Sequence, residues 1–131
     1  MVLFPALDGR GCLEAGGQAL IDYYADIIEE MDEGDPDRDA FEHTIYTKMT
    51  PVGFDANGRI SLPRALRELA GLEDRVVFAG ANRRFYIWNP DRFAVFDAEM
   101  SRQAAANKAK LAGPSRDAKA ARRRKLAGGE A

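Results

Sequence analysis

The sequence predicts an α+β domain, on three observations. Short apolar runs are punctuated by turn chemistry at Asp8-Gly9-Arg10-Gly11 and Asp55-Ala56-Asn57-Gly58, which is the grammar of strands and hairpins. Leu20, Ile21, Tyr24, Ile27, Ile28 and Met31 recur at the helical period and form one apolar face. The two patterns interleave along 131 residues, 46% apolar and 31% charged, enough for one compact core and too little for two large ones.

Taken in order, residues 2–7, Val-Leu-Phe-Pro-Ala-Leu, form an edge strand, because Pro5 cannot donate to a ladder on both sides. The glycines of Asp8–Gly11 reverse the chain, and Cys12-Leu13-Glu14 returns as a short strand. Residues 18–33 form a helix with Asp22, Asp26, Glu29, Glu30 and Glu33 on its polar sides, and Gly34 ends it. Asp35 caps a second helix, whose first position suits Pro36. Phe41, Ile45 and Met49 mark its buried face, so two antiparallel helices joined by a tight link are expected.

From Thr50 the pattern changes. Val52, Phe54, Ile60 and Leu62 flank Asp55–Gly58 as a hairpin in which Asn57 and Gly58 both tolerate positive φ. Pro63 opens a short helix carrying Leu66 and Leu69, closed by Gly71 and Leu72 as a Schellman cap. Strands over 75–80 and 85–88 flank the turn Ala81-Asn82-Arg83-Arg84. Asn89-Pro90-Asp91 begins a last helix with Phe93 and Phe96. Apolar content then collapses into alanine, so a fraying helix is expected over 97–111 and disorder over most of 112–131.

The net charge of −2 hides an asymmetry. Residues 1–50 carry 12 acidic and 3 basic side chains, residues 51–100 carry 7 of each, and residues 101–131 carry 2 acidic and 9 basic. A basic end attracts polyanions, although a solvated tail has the same composition.

Catalysis has little support. The single cysteine, Cys12, and the single histidine, His43, exclude a disulfide framework, a cysteine-rich zinc site and any two-histidine relay. Cys12 in a strand reads as a buried inert thiol, and Glu29 with Glu33 as a solvated helix face rather than a metal pair. Phe85, Tyr86 and Trp88 alternate as core and interface residues more readily than as a base-stacking platform. No phosphate-cradling glycine loop is present. No enzyme activity, cofactor, metal or small-molecule substrate is expected. No run approaches a membrane span and no leader opens the chain, so a cytoplasmic protein is expected.

The informative stretch is Phe54-Asp-Ala-Asn-Gly-Arg-Ile-Ser-Leu-Pro63. Asp55 can accept backbone N–H bonds across the turn, Gly58 permits the reversal, and Arg59 emerges where the chain returns. A guanidinium on a rigid turn suits bidentate contact with phosphate or guanine. It could equally pair back onto Asp55 and stiffen the hairpin. Arg64 and Arg67 follow in the next helix.

Asp55-x-x-Gly58-Arg59-Ile60-x-Leu62-Pro63, then Leu66-Arg67, Gly71-Leu72, Val77-Phe78-Ala79-Gly80 and Phe85-x-Ile87-Trp88-x-Pro90, resembles the second repeat of the MraZ family. The linking helices resemble that family's central segment. MraZ proteins are bacterial regulators related to AbrB-type regulators. The resemblance implies a swapped-hairpin β-barrel of two AbrB-like repeats with two linking helices, and ring-like homo-oligomers. It implies binding to double-stranded DNA at short G-rich direct repeats in the promoter of the division and cell-wall gene cluster, usually as a repressor. The implied location is the cytoplasm, associated with the nucleoid. Arg59 takes the DNA-contacting position, with Asp55, Asn57 and Gly58 as its scaffold and Arg64 and Arg67 attracting phosphate.

On this resemblance, residues 1–15 correspond to a remnant of the first repeat, 16–49 to the helical hairpin, 50–97 to the second repeat and 98–131 to an Ala/Arg/Lys-rich extension. The family carries two Asp-x-x-Gly-Arg-x-x-x-Pro turns, and one exists here. Asp8-Gly9-Arg10 has the wrong spacing to replace the other. The expectation is a first repeat lacking its opening half, through a start assigned downstream or a truncated paralogue, and therefore a barrel short of strands. The alternative function is an interaction module that co-assembles with full-length subunits without binding DNA itself. Arg122-Arg-Arg-Lys125 would add a sequence-independent grip or serve only as a solubilising tail.

Overall fold

A computed structural model describes residues 1–112 and 122–124. It divides into two units, Met1–Ala94 and Val95–Ala131. The first holds the strands β1 (Val2–Pro5), β2 (Leu13–Gly16), β3 (Thr50–Pro51), β4 (Val77–Gly80) and β5 (Phe85–Trp88). With them are the helices α1 (Gln18–Glu29), α2 (Pro36–Lys48) and α3 (Arg64–Ala70). Helix α4 (Pro90–Ala106) starts in the first unit and runs into the second, where a short 3-10 turn, Lys108–Leu111, follows.

The α+β class is what the chain adopts. The strands form one antiparallel sheet in the order β3-β1-β2-β5-β4. The sheet is open among the described residues, with β3 and β4 at its edges, where the resemblance implied a barrel. Its N-terminal hairpin, β1–β2, is joined to its C-terminal hairpin, β4–β5, through the β2–β5 ladder.

Alternation along β1 explains the layers. Leu3 faces one side, packing with Leu13, Ala15 and Ile87 against Leu66, Ala70 and Leu72 of the α3 region. Phe4 faces the other, packing with Leu20, Tyr24 and Ile28 of α1 and Ile45 of α2. The sheet is thus a middle layer. That is why Val2, Leu3 and Phe4 are all buried instead of alternating with polar residues.

Several expectations need correction. β1 is not an edge strand: it pairs with β2 along its length and with β3 at Val2 and Leu3. Pro5 is tolerated because β3 ends short of it. Helix α1 stops at Glu29, not at residue 33, and the Arg38 guanidinium takes the Met31 carbonyl at 2.7 Å beyond its end. Glu33 therefore lies outside the helix that was to place it one turn from Glu29. Phe41 is 43% exposed, leaving Ile45 as the buried residue of α2 and Met49 partly buried against it. Cys12 is buried but sits one residue before β2. The strand expected from residue 75 begins at Val77. The fraying helix expected over 97–111 is α4 to Ala106 and then the 3-10 turn. The disorder expected after residue 112 falls mostly outside the described residues; Arg122–Arg124 are helical and exposed.

Candidate nucleic-acid interface

Asp55 organises the turn before Arg59. Its Oδ1 accepts the backbone N–H of Asn57 at 2.8 Å and of Arg59 at 2.9 Å. Its carbonyl accepts the Gly58 N–H at 3.0 Å, and its own N–H donates to the Arg59 carbonyl at 2.8 Å. The 55–58 bond makes Ala56 and Asn57 the central residues of the turn. Gly58 follows at φ +76°, the pattern of a three-residue hairpin loop closed by a glycine bulge. The sequence alone puts an Asn57-Gly58 pair at the centre. The hairpin expected around it forms only at this tip: residues 52–54 and 60–62 make no ladder. Pro51 and Pro63 lack the N–H groups a longer ladder would need, and Gly53 weakens the strand between.

The turn is exposed from Gly53 to Arg59. The Arg59 guanidinium makes no hydrogen bond or ion pair among the described residues. It does not fold back onto Asp55, whose carboxylate is engaged by backbone. The two other candidate arginines behave differently. Arg64 pairs with Glu68 at 2.8 Å on the exposed face of α3. Arg67 donates from Nε to the Leu62 carbonyl at 3.1 Å and so ties α3 to the segment leaving the turn. Of the three, Arg59 alone presents an unengaged cation, and Arg67 serves to hold the loop.

An open groove of about 490 Å³ runs beside the turn, lined by Pro51, Val52, Gly53, Phe54, Asp55, Arg59, Ser61 and Pro63. Phe54 is 64% exposed there. The sequence places it in the hairpin; the signal against burial is its place between Gly53 and Asp55, beyond the last ladder pair.

Helix α3 anchors the turn to the sheet. Gly71, at φ +64°, donates to the Glu68 carbonyl while Leu72 donates to that of Arg67 at 2.8 Å, the expected Schellman cap. Asn89 caps α4 through Oδ1 and donates from Nδ2 to the Gly71 carbonyl at 2.8 Å. Arg92 reaches the Gly11 carbonyl at 2.9 Å and that of Leu69 at 3.2 Å. Neither clamp was visible in the sequence, because each joins residues 18 to 81 positions apart.

The other candidate groups do not assemble a reactive site. Cys12 is buried, which pushes its thiol up to about 11, while His43 is exposed. Trp88 is buried, and Phe85 packs against the core. No cluster of three or more His, Cys, Asp or Glu suited to a metal occurs among the described residues. No described helix is long and apolar enough to cross a membrane.

The region containing this turn matches a known family. Residues 45–113 match the family model described as "MraZ protein, putative antitoxin-like". The chain belongs to the MraZ family. It is 42% identical over 116 residues to the transcriptional regulator MraZ of Caulobacter vibrioides, a match covering 88% of this chain and 74% of that protein. To the transcriptional regulator MraZ of Phenylobacterium zucineum it is 42% identical over 103 residues, 76% of this chain and 64% of that protein. To that of Rickettsia bellii it is 35% identical, over 79% of this chain and 69% of that protein. The chain thus spans roughly two thirds to three quarters of these MraZ relatives.

Proposed function

We propose that this chain is a DNA-binding transcriptional regulator that presents Arg59 to duplex DNA from the Asp55–Gly58 turn. The observation that carries the reading is the unengaged Arg59 guanidinium on a turn held by four backbone-directed bonds of Asp55. The backbone beneath the group is fixed before it meets its target, so only side-chain freedom is lost on binding, and its planar fork suits guanine or phosphate. The relatives' shared name supports the same class of function.

The finer reading follows the family resemblance. The chain acts as a repressor at the promoter of the division and cell-wall gene cluster, on short direct repeats, in a ring-like homo-oligomer. One turn per subunit offers few contacts, and several subunits bound along one duplex convert weak contacts into a stable complex. Asp55, Asn57 and Gly58 shape the turn. Arg67 holds it, and Arg64 lends phosphate attraction once Glu68 is outcompeted.

A second reading, a module that co-assembles without touching DNA, draws on the sheet edges β3 and β4, which carry no further strand among the described residues. The two readings separate in one experiment. The purified chain is expected to retard promoter duplex at moderate salt, and Arg59→Ala to abolish this with oligomer mass unchanged. An Arg59→Ala protein that binds as well as its parent removes the site assignment. A parent that binds only when mixed with a full-length relative supports the module.

A further inference from the structure

Phe54 is 64% exposed one residue before the carboxylate that fixes the turn. It belongs to neither core cluster and lines the same groove as Arg59. A ring 64% exposed in the groove that also holds an unengaged guanidinium offers apolar surface to whatever that guanidinium contacts. A narrow turn standing out from the fold fits the major groove, which is roughly 12 Å wide, and there meets base edges. Phenylalanine carries no donor or acceptor, so it cannot read the polar pattern of those edges. The apolar feature the major groove offers is the thymine 5-methyl group.

We propose that Phe54 is a specificity-determining residue that packs against a thymine methyl close to the base contacted by Arg59. This rests on the reading of the turn as a DNA contact. The pair divides the work: Arg59 supplies a charged, directional bond, and Phe54 selects thymine over cytosine where the ring lands. The rigid Asp55 turn fixes their separation, so the thymine stands at a constant spacing from the Arg59 base.

The test uses the full chain and a duplex that it selects from a random-sequence pool. That duplex is rebuilt with uracil for thymine, which removes only the methyl groups. The parent is expected to bind the uracil duplex about fourfold more weakly for each methyl group the ring would have covered. Phe54→Ala is expected to bind both duplexes equally, with its oligomer mass unchanged. Equal binding of both duplexes by the parent overturns the proposal. So does discrimination that survives in Phe54→Ala, which places the methyl contact elsewhere. A Phe54→Ala protein that binds weakly while the parent ignores the methyl identifies a wedge between base steps and overturns the methyl contact. A change in oligomer mass assigns Phe54 to a subunit contact instead. A parent that selects no duplex defeats the DNA-binding reading itself, and this inference with it.

Discussion

Glu14 is the charged residue in the core of the described chain, at 3% exposure. A carboxylate taken out of water requires partners, and it has two on one oxygen: the Tyr24 hydroxyl at 2.6 Å and the Arg84 guanidinium at 3.1 Å. Arg84 also donates to the Tyr24 hydroxyl at 3.2 Å and lies over the Tyr23 ring. This cluster joins β2, α1 and the turn between β4 and β5, so it links the two hairpins of the sheet from one face. Arg84→Met is expected to leave Glu14 short of its countercharge and destabilise the fold by about 3 kcal/mol. Urea unfolding measures this, and adding Glu14→Gln is expected to recover part of the loss. Burial, reinforced by Glu14, raises the Tyr24 pKa far above its usual value. The folded state therefore holds the phenolic proton more tightly than the unfolded state does. That contribution is complete below about pH 10, the ordinary tyrosine value, and is lost as pH rises above it. Urea midpoints are expected to fall from about pH 10 upward, and less steeply in Tyr24→Phe.

At the scale of elements, what could be read from the sequence was local. The Schellman cap at Gly71-Leu72, the Asp35-Pro36 start of α2 and the Asn89 cap of α4 each depend on neighbours within a few residues, and each forms. Arg59 was legible as a candidate because its scaffold, Asp55 to Gly58, is contiguous; whether it faced water was not. The Arg38 bond to the Met31 carbonyl just past the end of α1 was hidden because it spans seven residues. The central place of β1 was hidden because it depends on β3, almost fifty residues away. Two glycines of similar φ test how conformation and space divide. At Gly58 an added Cβ would meet nothing within 4 Å, whereas at Gly71 it would lie 3.0 Å from an Arg92 guanidinium nitrogen. Gly58→Ala is expected to cost about 1 kcal/mol from backbone strain alone. Gly71→Ala should cost more, about 2 kcal/mol, because Arg92 must also shift from the Leu69 and Gly11 carbonyls. Paired urea titrations give the order, and equal losses would show that Arg92 moves freely.

For the whole molecule, the open sheet is the feature with the widest consequence. α3 covers one face and the α1–α2 hairpin the other, so the faces are closed while the edges are not. The two edges differ. β3 is two residues long and ends in Pro51, which blocks further pairing. β4 is four residues long, carries no charge or proline, and projects Phe78 at 65% exposure. It therefore has none of the usual guards against strand addition. If the homo-oligomer proposed above closes through the sheet, β4 is the edge that can do it. Phe78→Lys places a charge on that edge and also removes the tilted ring contact with Phe85, centroids 6.0 Å apart, which packs against the α3-side core. The variant is expected to shift sedimentation toward the monomer at a fixed protein concentration, with an unfolding free energy in urea about 1 kcal/mol below the parent's from the lost ring contact. Its affinity for a multi-repeat duplex should fall far more than for a single repeat, because the multivalent gain needs linked subunits. An assembly of unchanged mass would move the subunit contact away from β4 and leave the Arg59 turn untouched.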